Sequence, residues 1–363
     1  MPLSSVVGAQ SIVKPGVCTS TTRPASPYVG QCIYETDTLL AKVWNGSTWA
    51  DYPEGKLTAT TAVTSNRNIL INGSFNVWQR GTSFADSAFG LTVDRWEAGR
   101  GGFASGLTVS RQTGPTNFQY CARVQRASGN TSTQNIRFAT TLETVNSLPL
   151  AGKTVTVSFY ARAGANFSTS SSQIEVYLRS GTTTDAGRIG AGDTFGTGAA
   201  TPVSLTQPLT TSWQRFSVSG SVASTATQLA LIVYASPTGT AGANDYFEIT
   251  GVQLEAGSVA TPFEFEDIGN TLRKCQRYYQ VFDFTVSAPY ASAANQEMSY
   301  RTHYPVQMRV TPTMTAPTGM AELNVNARAT FRTNLRSTET YAQSNAAGQF
   351  YSVGGTYTGS SEL

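Results

Sequence analysis

Charged side chains are scarce in this sequence, and histidine is scarcer still. Only 13% of the 363 residues are Asp, Glu, Lys or Arg, and His303 is the single histidine. Long surface helices need Lys and Glu at exposed positions, so this composition disfavours a helical protein. A Ser-His-Asp or Cys-His arrangement would have to use His303, and no G-x-S-x-G motif accompanies it. We therefore expect a protein that is not an enzyme.

Metal motifs, basic runs and long apolar stretches are missing as well. The chain has 25 Lys and Arg against 22 Asp and Glu, with no basic cluster, so no nucleic-acid partner is expected. No apolar run approaches the roughly 18 residues of a membrane span, and the first residues do not form a signal peptide. We expect a chain that does not insert into membranes and is assembled in the cytoplasm.

The cysteines are too widely spaced for a Cys-x-x-Cys zinc site; they are Cys18, Cys32, Cys121 and Cys275. Cys18 and Cys32 could pair across a turn or remain free thiols. A structural calcium would need oxygens such as those of Asn72, Asp94 or Glu248, but no acidic cluster is present, so no cofactor is predicted. The same scarcity of carboxylates disfavours glycoside hydrolysis by paired acids.

Thr, Val, Phe and Tyr punctuated by 33 glycines are typical of pleated sheets with tight turns. Clear period-2 alternation marks five stretches: 154–160, 174–179, 215–219, 228–234 and 246–254. No helical pattern separates them. We predict an all-β chain with an antiparallel jelly-roll sandwich over residues 68–266.

Residues 1–67 precede the sandwich as a leader and linker. Strand-like stretches at 31–36 and 39–44 are followed by Asn45-Gly46, a strong hairpin signal, and by a third strand at 47–52. So few residues cannot bury Trp44 and Trp49 alone, which predicts packing against neighbouring copies of the chain. Residues 57–66 are typical of an extended linker.

A short helical connector is predicted at residues 267–281, capped by Asp267 or Asn270. Its apolar positions fall at i, i+4, i+7 and i+11 and share one face, where we expect a trimer contact: Ile268, Leu272, Cys275 and Tyr279. Residues 282–363 are predicted to form a separate β-rich tip domain, with strands at 282–287, 297–304, 308–315, 322–333 and 349–357.

Aromatic side chains in or beside the sandwich strands are the candidate binding residues. A ring can stack on a sugar while a hydroxyl or N–H group orients it, although such rings also commonly fill the core between sheets. Trp96 lies among charged residues and is expected to be buried. The predicted carbohydrate-binding residues are Trp78, Trp213, Tyr160 and Tyr177.

Four parts of the sequence together resemble bacteriophage tail-fibre and minor structural proteins. Residues 22–37 (TRPASPYVGQCIYETD) with 43–49 (VWNGSTW) are similar to a module of many phage fibres. Residues 68–81 (NILINGSFNVWQRG) with 94–96 (DRW) resemble the opening of their carbohydrate-binding-module-like jelly roll, and 251–264 (GVQLEAGSVATPFE) resembles its close. Residues 275–279 (CQRYY) resemble the hinge into their tip domain.

This resemblance implies a virion surface protein, attached to the tail or the capsid. It implies a homotrimeric tail fibre that docks to other virion proteins through its N-terminal residues and meets host surface glycans with its distal domains. The alternatives are a capsid or tail decoration without receptor binding and, less favoured, a polysaccharide depolymerase.

Overall fold

A computed structural model describes residues 16–51, 66–85, 89–100, 105–186, 198–315 and 320–363. The chain divides into two compact units, residues 1–65 and 66–363. The predicted linker at 57–66 lies outside the described residues except for Asn66. The finer domain boundaries near residues 267 and 282 remain predictions.

Residues 16–51, the described part of the first unit, form a four-stranded sheet in the order β1-β2-β3-β4. Its strands are β1 (Gly16–Cys18), β2 (Cys32–Glu35), β3 (Leu40–Trp44) and β4 (Trp49–Asp51). The predicted Asn45-Gly46 hairpin is confirmed, because the Asn45 side-chain oxygen accepts hydrogen bonds from the Ser47 and Thr48 amides at 2.9 and 2.8 Å. Gly46 supplies the left-handed φ of +101° that this turn requires.

The described residues between 66 and 256 of the second unit contain twelve strands. In chain order they are β5 (Ser83–Ala85), β6 (Phe89–Leu91), β7 (Glu97–Arg100), β8 (Leu107–Thr113), β9 (Tyr120–Arg126), β10 (Ile136–Thr141), β11 (Thr154–Ala163), β12 (Gln173–Gly181), β13 (Ala200–Pro208), β14 (Gln214–Ser221), β15 (Gln228–Ala235) and β16 (Tyr246–Ala256). One α-helical turn, α1 (Thr144–Ser147), and two 3-10 turns, Leu148–Leu150 and Ser170–Ser172, lie between them. The described strands pair antiparallel throughout.

These strands form two packed sheets of six. Sheet I has the order β14-β11-β16-β9-β8-β5, and sheet II has the order β13-β12-β15-β10-β7-β6. This arrangement confirms the predicted all-β jelly-roll sandwich. The five alternating stretches of the sequence fall within β11, β12, β14, β15 and β16. The other seven strands, β5 to β10 and β13, were not predicted.

Aromatic rings fill the middle of the sandwich core. Trp96 is fully buried, as predicted, and stacks on Phe138 with ring centroids 5.1 Å apart. Phe75 meets the Trp96 ring edge-on at the same 5.1 Å. The indole N–H donates a hydrogen bond to the Ile71 carbonyl at 3.2 Å, so this buried polar group is satisfied. The opening segment 68–81 is therefore tied to the core although it contains no strand.

The connector helix α2 runs from Ile268 to Gln276 and is capped by Asp267, whose carboxylate accepts the Gly269 amide at 2.9 Å. It ends earlier than the sequence spacing predicts. Tyr279 already belongs to the following strand, so the predicted fourth helical position is wrong. Within the described residues, no helix is long and apolar enough to cross a membrane.

The C-terminal strands are β17 (Tyr279–Ala291), β18 (Glu297–His303), β19 (Thr313–Met314), β20 (Ala321–Leu323), β21 (Val325–Thr333), β22 (Ser337–Ser344) and β23 (Gly348–Ser360). They form a sheet in the order β17-β23-β19, with β20 also on β23, and a second sheet in the order β18-β22-β21. Phe282 anchors a separate small core between Tyr304 and Tyr357, with centroids 5.0 and 5.1 Å away.

Two of the predicted C-terminal strands differ from the structure. The stretch 308–315 pairs only at Thr313–Met314, directly after Pro312, which has no N–H to donate. The stretch 322–333 is broken at Asn324, whose φ is +56°. A further strand, β22, was not predicted.

Candidate functional site

A row of charged side chains crosses the outer face of sheet I. Arg162 on β11 lies opposite Glu248 on β16, and Glu248 lies opposite Arg123 on β9. Because side chains alternate across a strand, these three point away from the core, while their neighbours Ala161 and Ile249 are fully buried within it. We call Arg162, Glu248 and Arg123 the arginine row.

The carboxylate at the centre of the row is shared by both guanidinium groups. Oε1 of Glu248 accepts hydrogen bonds from Nε and Nη2 of Arg123 at 2.8 and 2.6 Å, and Oε2 accepts from Nε of Arg162 at 2.5 Å. The Glu248 side chain is fully buried, whereas Arg123 and Arg162 remain 22% and 31% exposed. Two positive charges and one negative charge leave the row with a net charge of +1.

Aromatic rings lie beside each arginine. The guanidinium carbon of Arg162 is 5.2 Å from the centre of the Trp213 ring, and that of Arg123 is 4.0 Å from the Tyr246 ring. Both contacts fall within the range of cation–π attraction. Trp213 and Tyr246 are half-buried, so part of each ring faces outward. The row therefore combines hydrogen-bond donors with ring surface.

A second aromatic group adjoins the row on the same face. Tyr160 is two positions before Arg162 on β11 and lies opposite Arg215. Phe118 contacts Tyr160 and Phe265 with ring centroids 5.2 Å away in each case. Phe118 itself is 8% exposed, whereas Tyr160 is half-buried and Phe265 is 60% exposed, so these two rings add apolar surface to the face.

The thiol of Cys121 is buried beneath this surface and is unreactive. Burial, with a smaller contribution from Glu248, raises the pKa of Cys121 to about 12. A thiol with this pKa stays protonated at neutral pH and is not a nucleophile. Cys121 therefore adds neither charge nor reactivity to the face.

The four predicted binding residues are not brought together. Trp213 and Tyr160 lie on the outer face of sheet I, but Tyr177 lies on sheet II. The Tyr177 hydroxyl donates a hydrogen bond to Glu175 at 2.7 Å, which raises the pKa of Tyr177 together with burial. Its ring meets Tyr234 edge-on at 5.7 Å. Tyr177 is thus already engaged within its own sheet.

Trp78 packs against the sandwich core. Its indole N–H donates a hydrogen bond to the Phe75 carbonyl at 2.6 Å, and its ring stacks on Phe84 with centroids 6.4 Å apart. These contacts favour a structural role over sugar binding. Arg123, Arg162 and Tyr246 were not among the predicted site residues. Period-2 alternation places Arg162 on the same side of β11 as Tyr160, and Tyr246 on the same side of β16 as Glu248, but it does not place Arg123 on β9.

The predicted trimer-contact residues differ in exposure. Trp44 and Trp49 are half-buried and pair across β3 and β4 with centroids 5.6 Å apart. On α2, Ile268 is 53% exposed and Leu272 is half-buried, while Cys275 is 1% exposed and packs within its own chain. Tyr279 lies under Arg80, whose guanidinium carbon is 3.7 Å from the ring centre.

The candidate oxygens for calcium already have partners. Asp94 accepts hydrogen bonds from the Gln79 backbone and side chain, both at 2.6 Å, and Glu248 is held by the two arginines. Across the described ranges, no group of three or more His, Cys, Asp or Glu side chains is placed to hold a metal ion. The four cysteines are free thiols.

A cavity of about 410 Å³ lies where the sandwich meets α2. Glu143 on its wall accepts hydrogen bonds from Nε and Nη2 of Arg277, each at 3.0 Å, and one from the Tyr278 hydroxyl. Burial would raise the pKa of Glu143, but these hydrogen bonds outweigh it and lower the pKa. Glu143 and Arg277 on this wall are thus paired with each other.

Comparison with known proteins gives structural likenesses only. No protein-family model and no curated protein matches the sequence. Among solved structures, the chain is similar to a CBM4 module (21% identity, 51% of this chain, 98% of that chain, TM-score 0.33). It is also similar to TmCBM61 in complex with β-1,4-galactotriose (13% identity, 53% of this chain, 99% of that chain, TM-score 0.31).

A third likeness is to the enzymatically active domain of bacteriophage CBA120 tailspike protein 4 (12% identity, 53% of this chain, TM-score 0.35). The chain spans 22% of the length of that domain. At these identities and TM-scores, none of the three likenesses assigns a function to this chain.

Proposed function

We propose that the outer face of sheet I binds host surface glycans, without catalysis, on a bacteriophage virion. The observation that carries the proposal is the placement of half-buried Trp213, Tyr160 and Tyr246 around the arginine row. Rings that stack and N–H groups that donate are the two components that fix an amphipathic, hydroxyl-rich ligand. Here both lie on one face of a rigid sheet.

We place this face on a homotrimeric tail fibre whose N-terminal residues dock to other virion proteins. The resemblance of residues 22–37 with 43–49, 68–81 with 94–96, 251–264 and 275–279 to phage fibre proteins supports this placement. Exposed apolar side chains on the first unit support it further: Val17, Tyr28, Val29 and Leu39 are at least 70% exposed. A four-stranded sheet this small gains stability when such residues are covered by neighbouring copies.

The surroundings of Glu248 support binding rather than hydrolysis. Both of its oxygens accept hydrogen bonds from cationic groups, so the carboxylate is not placed to donate a proton or to attack a sugar. A depolymerase would need a carboxyl pair flanking a bound glycan. Release of oligosaccharides from host polysaccharide would contradict the non-catalytic part of the proposal.

The test compares substitutions on the two sheets. Trp213→Ala and Tyr160→Ala should each weaken binding to host cells or glycan arrays about 2- to 10-fold, because each removes a stacking ring worth about 0.5–1.5 kcal/mol. Tyr177→Ala on sheet II is the matched control and should leave affinity unchanged. Equal effects on both sheets, or loss of affinity only with Tyr177→Ala, would move the site away from sheet I.

The assembly part of the proposal has its own test. Light scattering should give a mass near three times 38.6 kDa. A monomer would contradict the trimer. A trimer that does not bind host cells and does not compete with phage adsorption would instead indicate a decoration protein of the tail or capsid.

A further inference from the structure

The arginine row indicates which class of glycan this face would take. Arg162 uses only Nε on Glu248, and Arg123 uses Nε and Nη2. Both Nη groups of Arg162 and the Nη1 group of Arg123 therefore remain to donate outward, from side chains that are 31% and 22% exposed. A guanidinium group offers a planar fork that matches a carboxylate in two parallel hydrogen bonds.

The charge balance of the surrounding face also favours an anion. Arg215, on the same face, adds a third guanidinium beside the row, with its carbon 5.9 Å from the Tyr160 ring. Asp245, which directly precedes β16, is buried in an ion pair with Arg126 at 2.8 Å. Glu255, further along β16, is 3% exposed and accepts hydrogen bonds from Gln253 and Thr261. Arg123, Arg162 and Arg215 outnumber Glu248 and Glu255, so the charges of these five residues sum to +1.

The spacing of ring and cation fits an acidic sugar. The centre of the Trp213 ring is 5.2 Å from the guanidinium carbon of Arg162. Because Arg162 lies over one side of the Trp213 ring, a pyranose would stack on the part of the ring that Arg162 leaves open. An exocyclic carboxylate projects from the edge of the sugar ring and would meet the guanidinium at the edge of Trp213. A neutral sugar would leave the charge of the row uncompensated while covering it, which is unfavourable.

We propose that this face recognises glycans that carry carboxylate groups, with a sugar ring on Trp213 and its carboxylate on Arg162 and Arg123. The inference rests on the proposed glycan-binding function and specifies its ligand class. Uronic acids and other carboxylated sugars share this chemistry. The contact is charge-assisted and partly exposed, so its affinity should fall as salt concentration rises.

The experiment uses an array of acidic oligosaccharides printed beside the same oligosaccharides after reduction of their carboxyl groups. Binders should carry carboxylates, and reduction should lower their signal at least tenfold. Arg162→Gln should lower affinity for the acidic forms by about tenfold or more, since it removes a hydrogen-bond donor to a charged group. Arg162→Lys keeps the charge without the fork and should fall between Gln and the native residue.

Two controls separate recognition from folding. Arg179→Gln on sheet II should leave affinity unchanged. The melting temperature of Arg162→Gln should stay close to that of the native protein, because Glu248 keeps its two hydrogen bonds from Arg123. If Arg162→Gln unfolds the chain, the effect of carboxyl reduction on the native protein still decides the question.

The outcomes also separate this inference from the proposed function. Equal binding of acidic and reduced glycans, lost on Trp213→Ala, would overturn the carboxylate inference and leave glycan binding intact. Unchanged affinity for acidic glycans in a folded Arg162→Gln variant would overturn it as well, and would make the row a structural ion-pair network. Binding to no glycan at all, on arrays or on host cells, would overturn both.

Discussion

Arg95 donates a hydrogen bond to Glu362, which lies 267 positions further along the chain. Arg95 is 5% exposed and Glu362 is 7% exposed, so this ion pair is buried. The guanidinium carbon of Arg95 also lies 3.6 Å from the centre of the Tyr278 ring. Glu362 additionally pairs with Arg80 at 2.9 Å. The residues after β23 therefore return to the sandwich and fasten the C-terminal strands to it.

The first prediction concerns this ion pair. Glu362→Gln should lower the free energy of unfolding by about 3–5 kcal/mol, because it leaves Arg95 buried without its counter-charge. Denaturant unfolding of the full chain measures the change. Loss of the Arg80–Glu362 pair should account for a smaller part of this change, because Arg80 still has the carboxylate of Asp94 at 3.7 Å as a counter-charge.

The matched control is Glu322→Gln. Its carboxylate also pairs with an arginine, Arg328 at 2.6 Å, but both side chains are about one-third exposed. Exposed pairs contribute about 0–1 kcal/mol, so this variant should change stability little. Similar small losses for both variants would mean that the buried pair at Arg95 does not fasten the two parts of the chain.

The second prediction is a pH dependence at Glu143. Its pKa is lowered from the ordinary value of 4.5, so the folded chain binds this proton more weakly than the unfolded chain. The stabilising contribution is therefore present above pH 4.5 and is lost as pH falls through the lowered pKa. The difference in unfolding free energy between the native protein and Glu143→Gln should be largest near neutral pH and shrink below about pH 4.5.

The pH dependence of the native protein alone cannot isolate Glu143, because the buried Asp94 also contributes to it. Burial raises the pKa of Asp94, so its own contribution weakens as pH rises through that pKa and has the opposite sign. Subtracting the Glu143→Gln profile from the native profile removes the effect of Asp94. A difference that stays constant from pH 7 to pH 3 would show that Arg277 and Tyr278 do not stabilise the charged form of Glu143.

The third prediction concerns the proposed trimer. Ile268→Asp and Leu272→Asp place charge on the exposed side of α2 and should shift the mass from three chains toward one, as measured by light scattering. Val145→Asp is the control, because Val145 is 64% exposed but lies outside α2. An unchanged mass in both α2 variants would mean that this side of the helix faces solvent or its own chain.

Local patterns were sufficient for much of the fold and for little of the site. Period-2 alternation located β11 and β16, and the charges around Trp96 correctly indicated a buried ring. The arginine row could not be located in this way, because Glu248 lies 125 positions from Arg123 and 86 from Arg162. Only the strand order and register of sheet I bring the three together, and neither can be read from a single sequence.

Trp78 illustrates the opposite difficulty. Its position beside Gln79 and Arg80 favoured an exposed ring, but the chain at 68–81 turns instead of forming a strand, and the ring packs on Phe84. In a turn, the alternation of a strand does not apply. On the proposed face, Trp213 and Tyr160 were predicted from the sequence, whereas Arg123, Arg162 and Tyr246 join them only through the pairing of β9, β11 and β16.

The last prediction concerns Gly251, where β16 has a φ of +59° and its pairing with β11 shifts by one residue. A Cβ atom at this position would lie 2.6 Å from Cζ of Phe118 and 2.9 Å from Cδ2 of Tyr160. Gly251→Ala should therefore lower the free energy of unfolding by about 2–4 kcal/mol, combining backbone strain with displacement of the two rings. Because Tyr160 belongs to the proposed binding face, glycan affinity should fall as well.

Gly129→Ala isolates the part due to backbone strain. Gly129 has a φ of +82°, but a Cβ atom there would meet no heavy atom within 4 Å. This control should lose only about 1–2 kcal/mol and should bind glycans normally. Denaturant unfolding measures the loss of stability in each variant. Near-ultraviolet circular dichroism of the tyrosines measures whether the Tyr160 ring is displaced. If Gly251→Ala costs no more than Gly129→Ala and keeps full affinity, then Phe118 and Tyr160 move aside freely, and the bulge at Gly251 does not set the shape of the binding face.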